Sequence, residues 1–304
     1  MIILTLGGGL GNQMFEYAFA RALQFQSKQN GILLNTFHVV KYESNKEALH
    51  NLCLPPEVRV CNRFEKNIYK YLEKIKRRYL VKRKKYQWND KQLFYNLSID
   101  GIFYNLQVFS YDDYQIPITN NIYIYGVYQN PHYWWEYKEI IKQELKVKTL
   151  PSKENSKMLS KISQGNSICV HIRRGDYVTN PRWKGLNICG EDYYCRAMEY
   201  INEQVKDSIF YIFSNSHSDI EWIQKEYNLQ KYNVVYVDLN NPDYEELRLM
   251  YSCKHFIIAN STFSWWAQFL SDSNEKIVCA PRFWAQGLNC QKELYEDNWK
   301  IIDC

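Results

Sequence analysis

The stretch CVHIRRGDYVTN, residues 169–180, sets His171, Arg173, Arg174 and Asp176 within six residues, directly after the apolar SICV. A guanidinium stays charged at any working pH and can fork onto two phosphate oxygens, which a lysine cannot do. A carboxylate beside it either holds the guanidinium in place or accepts a proton in a reaction. Successive strand residues point to opposite faces. Arg173 and Arg174 are therefore expected to do different work for as long as the strand continues. One is read as a phosphate ligand and the other as the partner of Asp176, with an Arg174–Asp176 surface pair as the plainer reading. His171, two residues before Arg173, falls on the same side of the strand.

Two further stretches have chemistry of this kind. GGGLGNQ, residues 7–13, lacks the third glycine of a full dinucleotide fingerprint, so alone it signals little more than a tight strand-to-helix turn. Its glycines still allow backbone N–H groups to approach an anion at a helix N-terminus. Gly11 shapes that turn, and the Asn12 and Gln13 amides are expected to point outward to a ligand. NSTFSWW, residues 260–266, opens a helix with small hydroxyl residues. Ser261 or Thr262 acts there as an N-cap, and the same turn, with Phe263 and Ser264, is a natural anion site.

The elements that must position these residues follow from periodicity. After residue 166, apolar runs of strand length alternate with helical patterns of about 10–15 residues, which predicts parallel βαβ units in a doubly wound sheet. In such sheets ligands sit at the carboxyl ends of strands, where both HIRRGDY and NSTFS fall. The first half opens with a strand over residues 2–6, the glycine loop and a helix over residues 14–26, with further strands at 32–34 and 122–127. Pro151 interrupts a polar helical stretch, so the expected division is 1–150 and 151–304.

Composition narrows the class. Apolar residues make up 46% and charged residues 23% of 304 residues, the pattern of a soluble globular protein. Nine cysteines, none in Cys-x-x-Cys spacing, and the absence of a secretory leader pattern predict reduced thiols in the cytoplasm. No two aspartates lie two apart and no two histidines four apart, so no metal constellation is expected. The 26 tyrosines suit either sugar contact or packing on sheet faces. The net charge of +5 is uneven, because residues 63–85 hold eleven Lys and Arg against Glu65 and Glu73. With an apolar stripe on that helix, peripheral contact with an anionic membrane is one reading and a solvated helix the other. Nucleic-acid binding is not expected.

GGLGNQMF, HIRRGDY and IIANSTFSWWAQFL occur here in that order, with the softer YGVYQNPHYW, CGEDYYCRAM and EELRLMYSCKHF between them. Over nearly the whole chain the sequence resembles the bacterial α-1,2-fucosyltransferases of glycosyltransferase family 11. The resemblance implies an α/β, GT-B-like fold of two Rossmann-like domains facing a cleft. The N-terminal domain would be the acceptor side and the C-terminal domain would bind GDP-fucose. It implies transfer of L-fucose from GDP-β-L-fucose to the 2-hydroxyl of a terminal β-galactose, with inversion and with no metal or other cofactor. The acceptor would be an oligosaccharide or a lipid-linked glycan.

By resemblance Arg173 is the diphosphate ligand and His171 a donor-site residue. Arg174 and Asp176 support the loop, Asn12 contacts the donor, and Ser261, Thr262 and Ser264 line its phosphate side. The general base is not singled out: Asp176, Glu191 and Asp192 are all near the motif. One departure concerns guanine. The family commonly has Phe-Ser-Asp-Asp where this chain has Phe213-Ser214-Asn215, with Asp219 further on. Asn215 then offers guanine a weaker acceptor, and Asp219 is the substitute. Two other functions fit the residues: a related nucleotide-sugar transferase with a different donor or linkage, and a non-catalytic carbohydrate-binding protein.

Overall fold

The computed structural model describes residues 1–37, 39, 47–61, 80, 81, 83–105, 111–286, 288, 289 and 292–304. Two compact units divide the chain, Met1–Leu145 and Lys146–Cys304, so the division falls at 145/146 rather than 150/151.

The first unit begins with β1 (Ile2–Thr5), whose four side chains are all buried, as expected of a central parallel strand. Helix α1 (Leu10–Ser27) follows the glycine loop and ends where Lys28 adopts a left-handed conformation. Then come β2 (Ile32–Asn35), β3 (Val58–Val60), α2 (Asp90–Ile99), β4 (Ile102–Asn105), β5 (Ile122–Gly126) and α3 (Lys138–Glu144). The sheet order is β3-β2-β1-β5-β4, every pair parallel. The order reverses between β1 and β5, so the glycine loop leaves the sheet at its topological switch point.

Helix α1 is buried along most of its length, including Glu16 and Arg21. A buried charge must be paired, and Arg21 meets Glu144 at 2.7 Å and Glu57 at 3.0 Å. Tyr17 donates to Glu144 at 2.6 Å. Phe19 stacks on Tyr128 at 4.1 Å and meets Phe103, Tyr114 and Tyr133 edge-on. In this unit those tyrosines serve packing.

The second unit contains α4 (Lys153–Gln164), β6 (Asn166–His171), α5 (Asp176–Thr179), α6 (Glu191–Gln204), β7 (Ser208–Phe213), α7 (His217–Glu226) and β8 (Val234–Tyr236). It continues with α8 (Asp243–Tyr251), β9 (His255–Ile257), α9 (Thr262–Leu270), β10 (Val278–Pro281), the hairpin β11 (Phe283–Ala285) and β12 (Leu288–Asn289), and β13 (Lys300–Ile302). The main sheet runs β13-β10-β9-β6-β7-β8, again wholly parallel. Ile168, Val170, Phe210, Ile212 and Ile257 pack beneath Tyr193, Tyr194, Ala197, Met198 and Ile201 of α6. The latter spacing is one face of a 3.6-residue helix.

The alternation expected after residue 166 is present, and so are both Rossmann-like domains. Strands β3, β4 and β13 were not expected from the sequence. No described helix is long and apolar enough to cross a membrane. Of the basic segment 63–85, only residues 80, 81 and 83–85 lie within the described residues, so the expected membrane face falls outside them. Every described cysteine is a free thiol.

Candidate active site

Strand β6 stops at His171, so Arg173 and Arg174 lie beyond its end. Gly175 then turns the chain at φ +46°, and α5 starts at Asp176. The positive φ favours glycine, and a Cβ there would sit tightly, 3.0 Å from Asn215 Cγ. Because the strand has ended, the alternation of faces no longer applies to the two arginines.

Arg173 Nη2 donates to Asp176 Oδ1 at 2.6 Å across the Gly175 turn. The expected Arg174–Asp176 pair is therefore corrected. The turn at Gly175 brings Asp176 back onto Arg173, while Arg174 goes the other way. Arg174 Nε donates to Asp219 Oδ1 at 3.1 Å, and its guanidinium lies 3.3 Å from the centre of the Trp222 ring. Its backbone N–H donates to Asn215 Oδ1 at 2.9 Å. Arg174 thus braces the β6 and β7 loops.

The same brace holds the two residues expected to read guanine. The acceptor oxygen of Asn215 is taken by the backbone of Arg174. Asp219 is held by Arg174 and by Ser216, whose hydroxyl caps α7.

His171 is buried, and its Nδ1 has no hydrogen-bond partner among the described residues. Burial, with the nearby Arg173 charge adding to it, pulls the imidazole down to about 3. It is a neutral ring at any physiological pH and a poor base. Arg173 Nε is likewise buried with no partner. The Arg173 Nε–H is a buried donor left for an acceptor atom, and the neutral His171 ring nearby has an unpartnered Nδ1 whose role depends on the tautomer.

The β9 loop completes this edge. Strands β6 and β9 are adjacent, and the sheet order reverses between them, so both motifs leave at the switch point. Phe263 places its ring 5.9 Å from that of His171, and Tyr177 donates to the Asn260 carbonyl at 3.1 Å. Ser261 is the N-cap of α9, its hydroxyl accepting from the Phe263 N–H at 3.3 Å. Thr262 is the first helical residue. The Ser264 hydroxyl is fully buried and shares its one hydrogen between the Ala259 and Ser261 carbonyls, so it faces the core and not a ligand. Buried Asn260 donates to the Leu186 and Trp284 carbonyls at 2.9 and 2.7 Å, tying three loops together.

In the first unit the glycine loop is likewise built from inside. Gly9 caps α1, with Gly11 buried in its first turn. Gly8 sits at φ +66°, and a Cβ on it would lie 2.3 Å from Asn12 Nδ2. Asn12 Oδ1 accepts from Gln129 of the β5 loop at 2.9 Å. Gln13 is buried, donating to the Gly8 carbonyl and accepting from the Ala48 N–H. The expectation that Gln13 points to a ligand is corrected: its amide satisfies loop backbone that burial would otherwise leave unpaired.

One functional candidate escaped the sequence reading. The Glu246 carboxyl of α8 is pushed up to about 8 by burial, reinforced by Asp243 and Asp238 and opposed by a hydrogen bond from Asn241. A carboxyl held neutral against its nature marks a candidate for function. Its only sequence signal was the Asp-Tyr-Glu-Glu cluster opening the helix, which reads as ordinary complement to the helix dipole. Among the described residues no group of His, Cys, Asp and Glu gathers in a way that could hold a metal ion.

Each unit is a Rossmann-like α/β fold, and in the second the Arg173 and Ser261 loops leave the sheet at its switch point. The chain belongs to glycosyl transferase family 11, whose family model matches residues 1–303. It is 29% identical to the O-antigen biosynthesis glycosyltransferase WbnK of Escherichia coli, over 97% of this chain and 98% of that one. It is 28% identical to an alpha-1,2-colitosyltransferase of Escherichia coli, over 93% and 92%. A galactoside alpha-(1,2)-fucosyltransferase 1 of Ateles belzebuth is 28% identical over 44% of this chain and 38% of that one. Among solved structures, fucosyltransferase NodZ from Bradyrhizobium superposes with a TM-score of 0.50 at 12% identity, covering 89% of this chain and 92% of that one. That likeness bears on the fold alone.

Proposed function

We propose that the chain transfers L-fucose from GDP-β-L-fucose to the 2-hydroxyl of a terminal β-galactose, inverting the fucose carbon in one displacement without a metal. The supporting observation is the pair of buried nitrogens, Arg173 Nε and His171 Nδ1, left without partners at the switch point. A diphosphate supplies the acceptor oxygen that the Arg173 Nε–H lacks, and His171 donates to it in the tautomer that has its proton on Nδ1. As the bond to GDP breaks, negative charge gathers on the leaving phosphate. Arg173 and the positive end of α9 stabilise it, and loss of one such contact raises a barrier by roughly 2.7–4 kcal/mol.

His171, being neutral, hydrogen-bonds without adding charge. Asp176 holds Arg173 in register and is also a candidate to take the acceptor proton. The acceptor is a galactose-terminated oligosaccharide or lipid-linked glycan. Asn12, Asn215 and Glu246 are proposed donor contacts, with Glu246 accepting from nucleobase N–H groups.

A second reading rests on the similarity to the colitosyltransferase, in which the donor sugar differs while the linkage is kept. A donor panel of GDP-L-fucose, the corresponding colitose donor and GDP-mannose, with product linkage by NMR, separates the two. Turnover with GDP-L-fucose and a new α-1,2 linkage supports the fucosyl reading, and preference for the colitose donor replaces it.

A further inference from the structure

We propose that Trp183 is the platform on which a pyranose ring of the acceptor saccharide stacks. This rests on the sugar-transfer reading above and adds an acceptor subsite to it.

Three described tryptophans are exposed: Trp135 at 39%, Trp183 at 46% and Trp222 at 37%. Two are covered by a cation. The Lys138 ammonium sits 4.6 Å from the Trp135 ring centre, and the Arg174 guanidinium covers Trp222 at 3.3 Å. Trp183 has neither an aromatic ring nor a cation over it among the described residues. An indole face presented bare is a large apolar surface that one face of a galactopyranose, with its C–H groups, can cover.

Its position suits an acceptor. Trp183 lies in the 3-10 helix Pro181–Leu186, which follows α5 directly, and Asp176, the first residue of α5, is the partner of Arg173. The stretch is fixed at several points. Trp183 N–H donates to the Asn180 carbonyl at 2.9 Å, and Asn180 Oδ1 accepts from Arg182 N–H at 3.0 Å. The Gly185 carbonyl accepts from Gln286 N–H, and the Leu186 carbonyl accepts from Asn260, the residue before Ser261. Asn260 therefore anchors both the phosphate-side turn and the base of the tryptophan loop. Ordering an aromatic in advance reduces the entropy lost on binding. Arg182 and Lys184 flank the indole, exposed and in no ion pair among the described residues, and supply charged donors to sugar hydroxyls.

Ligand-observed NMR tests this without turnover, using methyl β-D-galactopyranoside and lactose as probes of the full chain, with and without GDP. Saturation transfer concentrated on one galactose face is expected in the wild type. Affinity should fall about tenfold in Trp183→Ala and be largely kept in Trp183→Phe, with unchanged thermal midpoints in both. Equal affinity in the wild type and Trp183→Ala overturns the proposal, as does a wild type that binds neither galactoside. Protection by GDP against thermal unfolding, measured in the same samples, reports on the donor site alone. Its absence counts against the proposed reaction and leaves the tryptophan platform to the galactoside data.

Discussion

Arg173 and Asp176 are joined by one short hydrogen bond of 2.6 Å, while Nε of the same guanidinium is buried with no partner. One edge of the group is tethered and another is kept for a ligand. A lysine cannot serve both edges, since it is a point charge without the planar fork. Arg173→Lys is therefore expected to lose at least about a hundredfold in kcat/KM and most of its GDP affinity. Steady-state kinetics with calorimetry of GDP binding checks this, and retention of either quantity within threefold speaks against the role given to Arg173.

Gly175 makes the turn that brings Asp176 onto Arg173. Gly175→Ala places a Cβ against Asn215 at a backbone angle that L-residues avoid, a strain on the order of 1–3 kcal/mol. Urea unfolding should show that loss. The Arg174 brace through Asn215 should loosen with it, so GDP affinity drops as well.

His171 makes stability depend on pH in a defined direction. Its folded value is about 3, below the unfolded value near 6.5, so the unfolded chain binds the extra proton between them. The stabilisation is complete above the unfolded value and is lost as pH falls toward the folded one, with a slope up to about 1.4 kcal/mol per pH unit. His171→Gln is expected to remove that acid-side slope in denaturant titrations between pH 4 and 6.5. An unchanged slope would place the imidazole in contact with solvent.

Glu246 works in the opposite sense. Its folded value of about 8 lies above the usual carboxylate value, so the folded state binds the extra proton. Its stabilisation is present at low pH and is lost as pH rises toward 8. Glu246→Gln should be more stable than wild type at pH 8 and close to it at pH 4. If Glu246 accepts from a nucleobase, the same variant also weakens GDP binding, and wild-type GDP affinity increases with pH.

The parallel sheet of the second unit was legible because its strands are short apolar runs between amphipathic helices, a pattern that periodicity detects. Strands β3, β4 and β13 were not, since three or four residues such as VRV or KII carry too few alternations to mark a strand. They form because an already ordered neighbour offers unpaired backbone groups. The site motifs stood out by residue type, but their pairing did not. Arg173 rather than Arg174 meets Asp176 because a single positive φ at Gly175 reverses the chain, and nothing in the spacing states where the strand gives way to that turn. Gln13 and Ser264 were misread for a related reason. Polar side chains at buried turns are first needed by their own backbone, and only a three-dimensional census of hydrogen bonds reveals that need.

The most direct test of the account is a GDP-release assay in EDTA, with GDP-L-fucose and a panel of β-galactosides, run on the wild type and Arg173→Ala. The account predicts metal-free turnover by the wild type, a loss of at least about a hundredfold in the variant, and an α-1,2 linkage in the product. Turnover that needs added Mg²⁺, or turnover that survives in Arg173→Ala, would contradict it.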